Sequence, residues 1–299
     1  MSARSRFRLF KFPVKNQLHR FTRSKFGSFL FFAILISGGL FSVLPLVYCI
    51  TTSFKPLDEL LIFPPTLFTV KRPTIANYTA IPDLLSGLSV PITRYAFNSI
   101  FVSIIGTFLS VIISAMAAFV LSKTEMKFNK LIFTVVQFSL LFNAYTLSVP
   151  QYIVYSKIGI INTYLAYIVP AAASSMGVFL MKQYMDGYVP YALIEAAHID
   201  GAGWIGIFTR IVLPIVKPCV LTLVMFSFLG IWNSVPSGTI FSESLKTLPT
   251  VMSTIAAGGL ARSGSSMATS VILMIFPIAV YLISQGSIKE TIGSAGIKG

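Results

Sequence analysis

Few residues in this chain have types suited to catalysis or metal binding. The only histidines are His19 and His198, and Glu195 stands three residues before His198, a spacing that can place both side chains on one helix face. No second such pair and no nearby cysteine accompanies them, whereas a zinc site uses three or four ligands. No Gly-Lys pair occurs anywhere, so the phosphate-binding loop of P-loop ATPases is absent. The sequence therefore predicts no catalytic, metal or ATP site within this chain.

A glycine pattern near His198 has a second possible interpretation. Gly201, Gly203 and Gly206 match the GxGxxG spacing of dinucleotide-binding sites. That spacing has meaning only after a strand and at the start of a helix within a βαβ unit. Here it lies in a polar segment between two long apolar ones, with no strand pattern before it. We interpret the match as coincidental.

The composition indicates a membrane protein. Hydrophobic residues make up 55% of the chain and charged residues 11%, against about a quarter charged in soluble domains. Division at every charged residue leaves six intervals of at least 24 residues, and the next longest has 15. A spanning helix needs about 20 apolar residues. The sequence predicts an all-α, polytopic membrane protein with six transmembrane helices in a domain over 27–286. The predicted spans are 27–50, 97–121, 131–150, 161–181, 215–235 and 267–286.

The distribution of basic residues predicts the orientation of these spans. Residues 1–26 contain eight Lys and Arg residues and no acid. A nucleic-acid-binding arm is one alternative, but a basic segment beside a span typically marks the cytosolic side. A cytosolic N-terminus places 16 of the 23 Lys and Arg residues in the cytosol. We therefore predict an uncleaved first span, with residues 1–26 and the tail 287–299 both cytosolic.

Small and polar residues within the spans predict packing or a pathway. The second span carries Gly106, Ser110, Ser114 and Ala118 at four-residue spacing, which favours close helix packing in lipid. Polar side chains at membrane depth either bond neighbouring helices or line a wet pathway, and both alternatives stay open here. The candidate pathway residues are Ser139, Asn143 and Tyr145 in the third span, and Trp232 and Asn233 at the end of the fifth, where interfacial anchoring is the alternative.

The cytosolic segment 187–211, between the fourth and fifth spans, has a helix–turn–helix pattern. Pro190 suits the start of a helix, and alanines favour a helix over residues 191–199. Gly201 and Gly203 permit positive φ and a sharp reversal. Pro214 then marks the approach to the fifth span.

This segment resembles the signature loop of ABC importer permeases. The matching loop residues are Glu195, Ala196, Ala197, Asp200, Gly201, Ile211, Leu213 and Pro214. Looser similarities, at residues 94–103, 158–170 and 246–249, at the Trp232-Asn233 pair and in the tail, resemble the smaller maltose-type permease of the carbohydrate branch. The resemblance implies the fold of a type I ABC importer permease.

The resemblance also implies partners and a mode of action. The partners would be a second homologous permease, two ATPase subunits that bind ATP and Mg, an extracytoplasmic solute-binding protein and a sugar, in a bacterial plasma membrane. The resemblance implies no cofactor or metal in this chain and no nucleic-acid partner. The helix at Glu195 would dock on an ATPase, and Lys298 and Gly299 would either reach the ATPases or stay unattached.

Two alternative functions remain open. The chain is compatible with an ABC permease for a non-sugar solute. An ion-coupled secondary transporter or a stand-alone channel is the other alternative, although secondary transporters commonly carry charged residues inside their spans. The six charge-free intervals hold no such residue.

Overall fold

The computed structural model describes residues 25–64, 66–86, 90–142, 144–235 and 238–295. This part of the chain is helical and contains no strand. The α-helices are α1 (Lys25–Ser53), α2 (Leu57–Leu60), α3 (Ala76–Leu85), α4 (Ile92–Lys123), α5 (Asn129–Ser139), α6 (Ala144–Lys157), α7 (Leu165–Ala172), α8 (Ser175–Tyr188), α9 (Tyr191–Ile199), α10 (Trp204–Ile207), α11 (Leu213–Ile215), α12 (Lys217–Trp232), α13 (Leu248–Ala256) and α14 (Ser263–Ala295). A π-helical turn, Phe208–Val212, joins α10 to α11.

Four described helical stretches are long and apolar enough to cross a membrane. They are Phe26–Ser53, Ile92–Lys123, Leu165–Tyr188 and Gly259–Gln285. A fifth follows if the bent pair Trp204–Ile215 and Lys217–Trp232 counts as one span. The four single stretches overlap the predicted first, second, fourth and sixth spans, in that order. The bent pair overlaps the predicted fifth span.

The predicted third span, 131–150, is not a single helix. It is divided between α5 and α6, each of which is too short to cross a membrane alone. At the end of α5, Ser139 Oγ donates to Val136 O at 2.6 Å. The count of six spans therefore stays a prediction.

The chain divides into two compact units, one up to Val47 and the other from Tyr48 onward. The described part of the first unit, residues 25–47, is the apolar greater part of α1, with Pro45 near its end. The second unit contains the remaining helices and the sites discussed below.

Helix α4 lies at the centre of the second unit. It packs against α7, α8, α12 and α13. The four small residues predicted to mediate packing are all buried, and a Cβ added at Gly106 would lie 3.0 Å from Ile231 Cδ1 of α12. Small side chains let backbones approach closely where lipid supplies no hydrophobic drive between helices. This face of α4 thus sets how near its neighbours lie.

Asn98 joins the start of α4 to two later segments. Its Nδ2 donates to Ser244 O at 2.8 Å and to Lys246 O at 2.9 Å, and its Oδ1 accepts from Tyr164 Oη at 2.7 Å. The side chain is fully buried. Leu248 N donates to the neighbouring Ser99 Oγ at 2.7 Å, which fixes the start of α13. One buried amide therefore holds three separate stretches of chain together.

The contact of α8 with α4 yields a test. A Cβ at Gly177 would press directly against Ser114 Oγ and lie 3.0 Å from Ser114 Cβ, whereas a Cβ at Gly187 of the same helix meets nothing within 4 Å. We expect Gly177→Ala to lower the free energy of unfolding by about 1–3 kcal/mol through overpacking. Gly187→Ala should be neutral or stabilising by roughly 0.5–1 kcal/mol.

Denaturant unfolding of the purified protein in mixed micelles measures both variants. The cost of Gly177→Ala should shrink in a Ser114→Ala background, since the nearest atom is then gone. Equal stability of the Gly177→Ala and Gly187→Ala variants would contradict this account of the contact.

Candidate functional site

The segment from Pro190 to Ile207 forms a helix, a reversal and a second short helix. Helix α9 covers Tyr191–Ile199, as predicted, and Pro190 stands immediately before it. Gly201 has φ +80°, and Gly201 N donates to His198 O at 3.0 Å. A left-handed φ favours glycine because it has no Cβ. Gly201 therefore makes the reversal.

Gly203 does not share this role, contrary to the prediction. Its φ is −72°, and it is the residue before α10. A residue entering a helix takes extended backbone angles that any residue can adopt. The GxGxxG match also lacks its structural context, since the helix α9 precedes it where a dinucleotide site needs a strand. His198 packs its ring edge-on against Trp204, with centroids 4.3 Å apart.

The predicted loop residues divide into an outer and an inner group. Glu195, Ala196, Asp200, Gly201 and Pro214 are exposed. Ala197 is buried, and Ile211 and Leu213 are half-buried against the same core cluster. That cluster joins the loop to α4 and α8 through residues such as Phe119 and Met185. Only the outer group is available to a partner in this conformation.

Two isoleucines flank the reversal and point away from the core. Ile199 is 87% exposed and Ile205 is 81% exposed. Neither belongs to the core clusters of the described chain. Large apolar side chains grouped at the tip of a loop are typical of a contact surface for another protein.

The loop meets α12 at a sharp bend. The pair Trp204–Ile215 and Lys217–Trp232 is bent by 82° at Val216. Pro214 cannot donate a backbone hydrogen bond, and the preceding π-helical turn already departs from α-helical pairing. Both are recognised causes of helix kinks.

A polar network fastens α9 to α4 and α8. The Tyr191 hydroxyl donates to Ser122 O, and Lys123 Nζ lies 4.6 Å from the centre of the Tyr191 ring. Ser122 Oγ donates to one oxygen of Asp186, and Lys182 pairs with the other at 2.6 Å. Because Lys123 is only 4% exposed, its charge depends on these nearby partners. The network links the start of the loop to the ends of two spanning helices.

Helices α4, α6, α7 and α12 line a partly open cavity of about 620 Å³. Its wall combines hydroxyl, phenol and carboxamide groups with apolar surface, and the described residues that line it carry no formal charge. The polar groups include Ser110 of α4, Gln151 and Tyr152 of α6, and Ser227 of α12. Ser110 and Ser227 hydroxyls lie 3.2 Å apart.

The predicted pathway residues lie elsewhere or outside the described side chains. Ser139 Oγ and Ser175 Oγ of α8 lie 2.7 Å apart, within hydrogen-bond distance, which is the helix-bonding alternative. Trp232 is buried against Phe228 and Phe276 and donates to Leu273 O at 3.2 Å, while the exposed Asn233 donates to Leu229 O at 2.9 Å. None of these three residues lines the cavity. Asn143, the side chain of Tyr145, and Lys298 and Gly299 of the tail lie outside what the structure describes.

The chain is similar to bacterial transport permeases. No family model matches it. LplC of Bacillus subtilis (strain 168) is 34% identical over 207 residues, which cover 67% of this chain and 65% of LplC. The sulfoquinovosyl glycerol transport system permease protein SmoH of Agrobacterium fabrum is 28% identical over 277 residues, 91% of this chain and 93% of SmoH.

A solved structure shows the same fold. It is a bacterial ABC transporter involved in the import of the acidic polysaccharide alginate, matched with a TM-score of 0.72 and 19% identity over 89% of this chain and 99% of the matched chain. The chain belongs to the ABC importer permeases of the carbohydrate branch. The family expected from the loop residues is therefore confirmed.

Two features of this permease were not predicted from its sequence. The Lys182–Asp186 pair has the four-residue spacing of a helical ion pair and could have been found by that signal. The cavity has no comparable signal, because its wall is assembled from four helices that are far apart in sequence.

The network around Asp186 gives the permease a second test. We expect Asp186→Ala to lower the free energy of unfolding by about 1–3 kcal/mol, because it removes a charged hydrogen-bond acceptor shared by two partners. Glu125→Ala, an exposed acid near the same end of α4 with no hydrogen bond among those described, should change it by less than about 0.5 kcal/mol. Denaturant unfolding in mixed micelles compares the two, and equal effects would show that the network contributes nothing to stability.

Proposed function

We propose that this permease forms part of the translocation pathway of an ABC importer for a sugar or oligosaccharide, and that its loop 187–211 receives the work of separate ATPase subunits. The observation that carries the proposal is the exposed tip of the loop, where Ile199 and Ile205 flank the Gly201 reversal. Glu195 and Ala196 lie on the exposed side of α9. Such a tip supports docking in a cleft of a partner protein.

The proposed assembly contains a second homologous permease, two ATPases and an extracytoplasmic solute-binding protein. ATP and Mg would bind the ATPases, so this chain would be a non-catalytic subunit without a cofactor of its own. ATP binding would favour one of two permease conformations, which shifts a pre-existing equilibrium between inward-open and outward-open states. A sugar substrate is supported by the similarity to SmoH, a sulfoquinovosyl glycerol permease, and to the alginate importer.

The proposed topology keeps six spans with both termini cytosolic in a bacterial plasma membrane. In this topology α5 and α6 together provide the third crossing as a broken span. Helix α5 has 11 residues and α6 has 14, so together they exceed the about 20 residues that a membrane crossing needs. A broken helix is tolerated at membrane depth where protein or a wet cavity surrounds the break.

The reversal at Gly201 provides the test of coupling. Gly201→Asp adds a charge to the tip and forces a side chain into a left-handed φ, at a cost of about 1–2 kcal/mol. We expect membrane insertion and assembly to persist while ATP-dependent uptake falls by at least about tenfold, the ratio that a loss near 1.4 kcal/mol produces. Uptake is measured with the full complex in proteoliposomes supplied with loaded binding protein.

A matched pair of alanine variants separates backbone strain from crowding. A Cβ meets nothing within 4 Å at either Gly201 or Gly203, and only Gly201 has positive φ. Gly201→Ala should therefore impair uptake while Gly203→Ala keeps it near the wild-type rate. Near wild-type uptake by Gly201→Asp would overturn the coupling role of the loop.

The remaining alternative within the family is a permease for a non-sugar solute. A binding assay on the cognate solute-binding protein distinguishes it, since that protein would bind no carbohydrate. A stand-alone channel or secondary transporter would instead move solute without any ATPase subunit.

A further inference from the structure

The cavity between α4, α6, α7 and α12 has the chemistry of a binding site for an uncharged polyol. Its volume of about 620 Å³ falls within the range of about 300–1,000 Å³ found for small-molecule sites. Most of its wall is apolar, with a limited set of polar groups from several helices. That combination encloses a ligand and orients it through a few directed hydrogen bonds.

The polar groups of the wall can both donate and accept hydrogen bonds. Hydroxyls and carboxamides have this dual capacity, and sugar hydroxyls need it in their partners. Gln151 Nε2 donates to the Tyr155 hydroxyl, so the carboxamide is already held in one orientation by its own helix.

Two aromatic rings on the wall remain accessible. Tyr152 of α6 is 42% exposed and Phe226 of α12 is 50% exposed, and both line the cavity. The face of an aromatic ring carries partial negative charge. The C–H groups on one face of a sugar ring are weakly positive and apolar, so they pack favourably on such a surface.

The absence of charge on the described wall selects against anionic ligands. A carboxylate removed from water is offset most strongly by a paired cation, whereas neutral hydroxyl and carboxamide donors suffice for a sugar hydroxyl. The described lining residues offer neither Lys nor Arg. An acidic oligosaccharide such as alginate, the cargo of the structurally similar importer, would find no counter-charge on this wall.

We propose that this cavity binds a neutral glycosyl unit of the imported sugar, with Tyr152 and Phe226 packing on the ring and Gln151 bonding its hydroxyls. The proposal rests on the proposed function of carbohydrate import. It adds that this chain itself contacts the sugar and that the sugar is uncharged.

Uptake by the complete complex tests the charge selectivity. The wild-type complex, with its solute-binding protein, is reconstituted in liposomes and offered neutral probes (maltotriose, raffinose and arabinotriose) and acidic ones (trigalacturonate and an alginate trisaccharide). We expect ATP-dependent import of at least one neutral probe and of neither acidic probe. Import of an acidic probe overturns the neutral-sugar proposal and leaves the proposed function intact. Import of no probe counts against carbohydrate import itself.

Variants of Tyr152 test the location of the site. Equilibrium binding of the imported neutral probe is measured on the detergent-purified complex without the solute-binding protein, so that only the membrane subunits contribute. Tyr152→Ala should weaken binding by about tenfold or more, since it removes a stacking ring, while Tyr152→Phe, which keeps the ring, should stay within about threefold. Tyr281→Ala is the matched control, because Tyr281 is a 50% exposed helical tyrosine that does not line the cavity.

The control should bind as the wild type does. Binding by Tyr152→Ala that equals the wild type, or equal losses in Tyr152→Ala and Tyr281→Ala, would overturn the assignment of the cavity. Either result can occur while uptake by the wild-type complex proceeds, so the proposed function would survive it.

Discussion

A backbone group that leaves a helix loses its helical hydrogen-bond partner and needs another, and this constraint shapes the places where the described chain turns. Two asparagines satisfy such groups. Asn98 bonds the carbonyls of Ser244 and Lys246. Asn162 Oδ1 accepts from the backbone N of Phe241 and Ser242, and Asn162 N donates to Thr239 O. Without these bonds, the segments before α7 and α13 would lose their connections to α4 and to each other.

Helix α4 makes such stabilising contacts at both of its ends. Asn98 lies in its first turns, and Ser122 and Lys123 form its last, where they meet Asp186 and Tyr191. Between the ends, its small residues hold α8 and α12 in close contact. Bonds at both ends of α4 and close contacts along it limit how far α8 and α12 can slide, since packed interiors have low compressibility. Helix α4 therefore positions both the loop and the cavity.

A structural feature could be predicted from the sequence where neighbouring residues determine it, and could not where residues distant in sequence do. Helix α9 was predicted with both ends because Pro190 and Gly201 act on adjacent residues. Gly203 was assigned wrongly, since its angles are set by entry into α10 rather than by its own freedom. A count of apolar residues also could not reveal that α5 ends at Ser139, because residues 131–156 form one charge-free interval. The cavity was beyond sequence patterns, because Ser110, Gln151 and Ser227 meet only in the folded chain.

Helix α12 connects the loop to the cavity physically. Val212, Val216, Cys219 and Leu223 recur at four- and three-residue spacing and lie in one buried cluster with α4 and α8. Leu223 also lines the cavity, one turn before Ser227. A tilt of α12 about the bend at Val216 would thus move the cavity wall and the loop core together. Because the π-helical turn and Pro214 leave fewer regular backbone bonds at the bend than elsewhere, the deformation would concentrate there. A pull on the exposed loop tip would therefore reach the cavity-lining residues of α12 through this buried cluster.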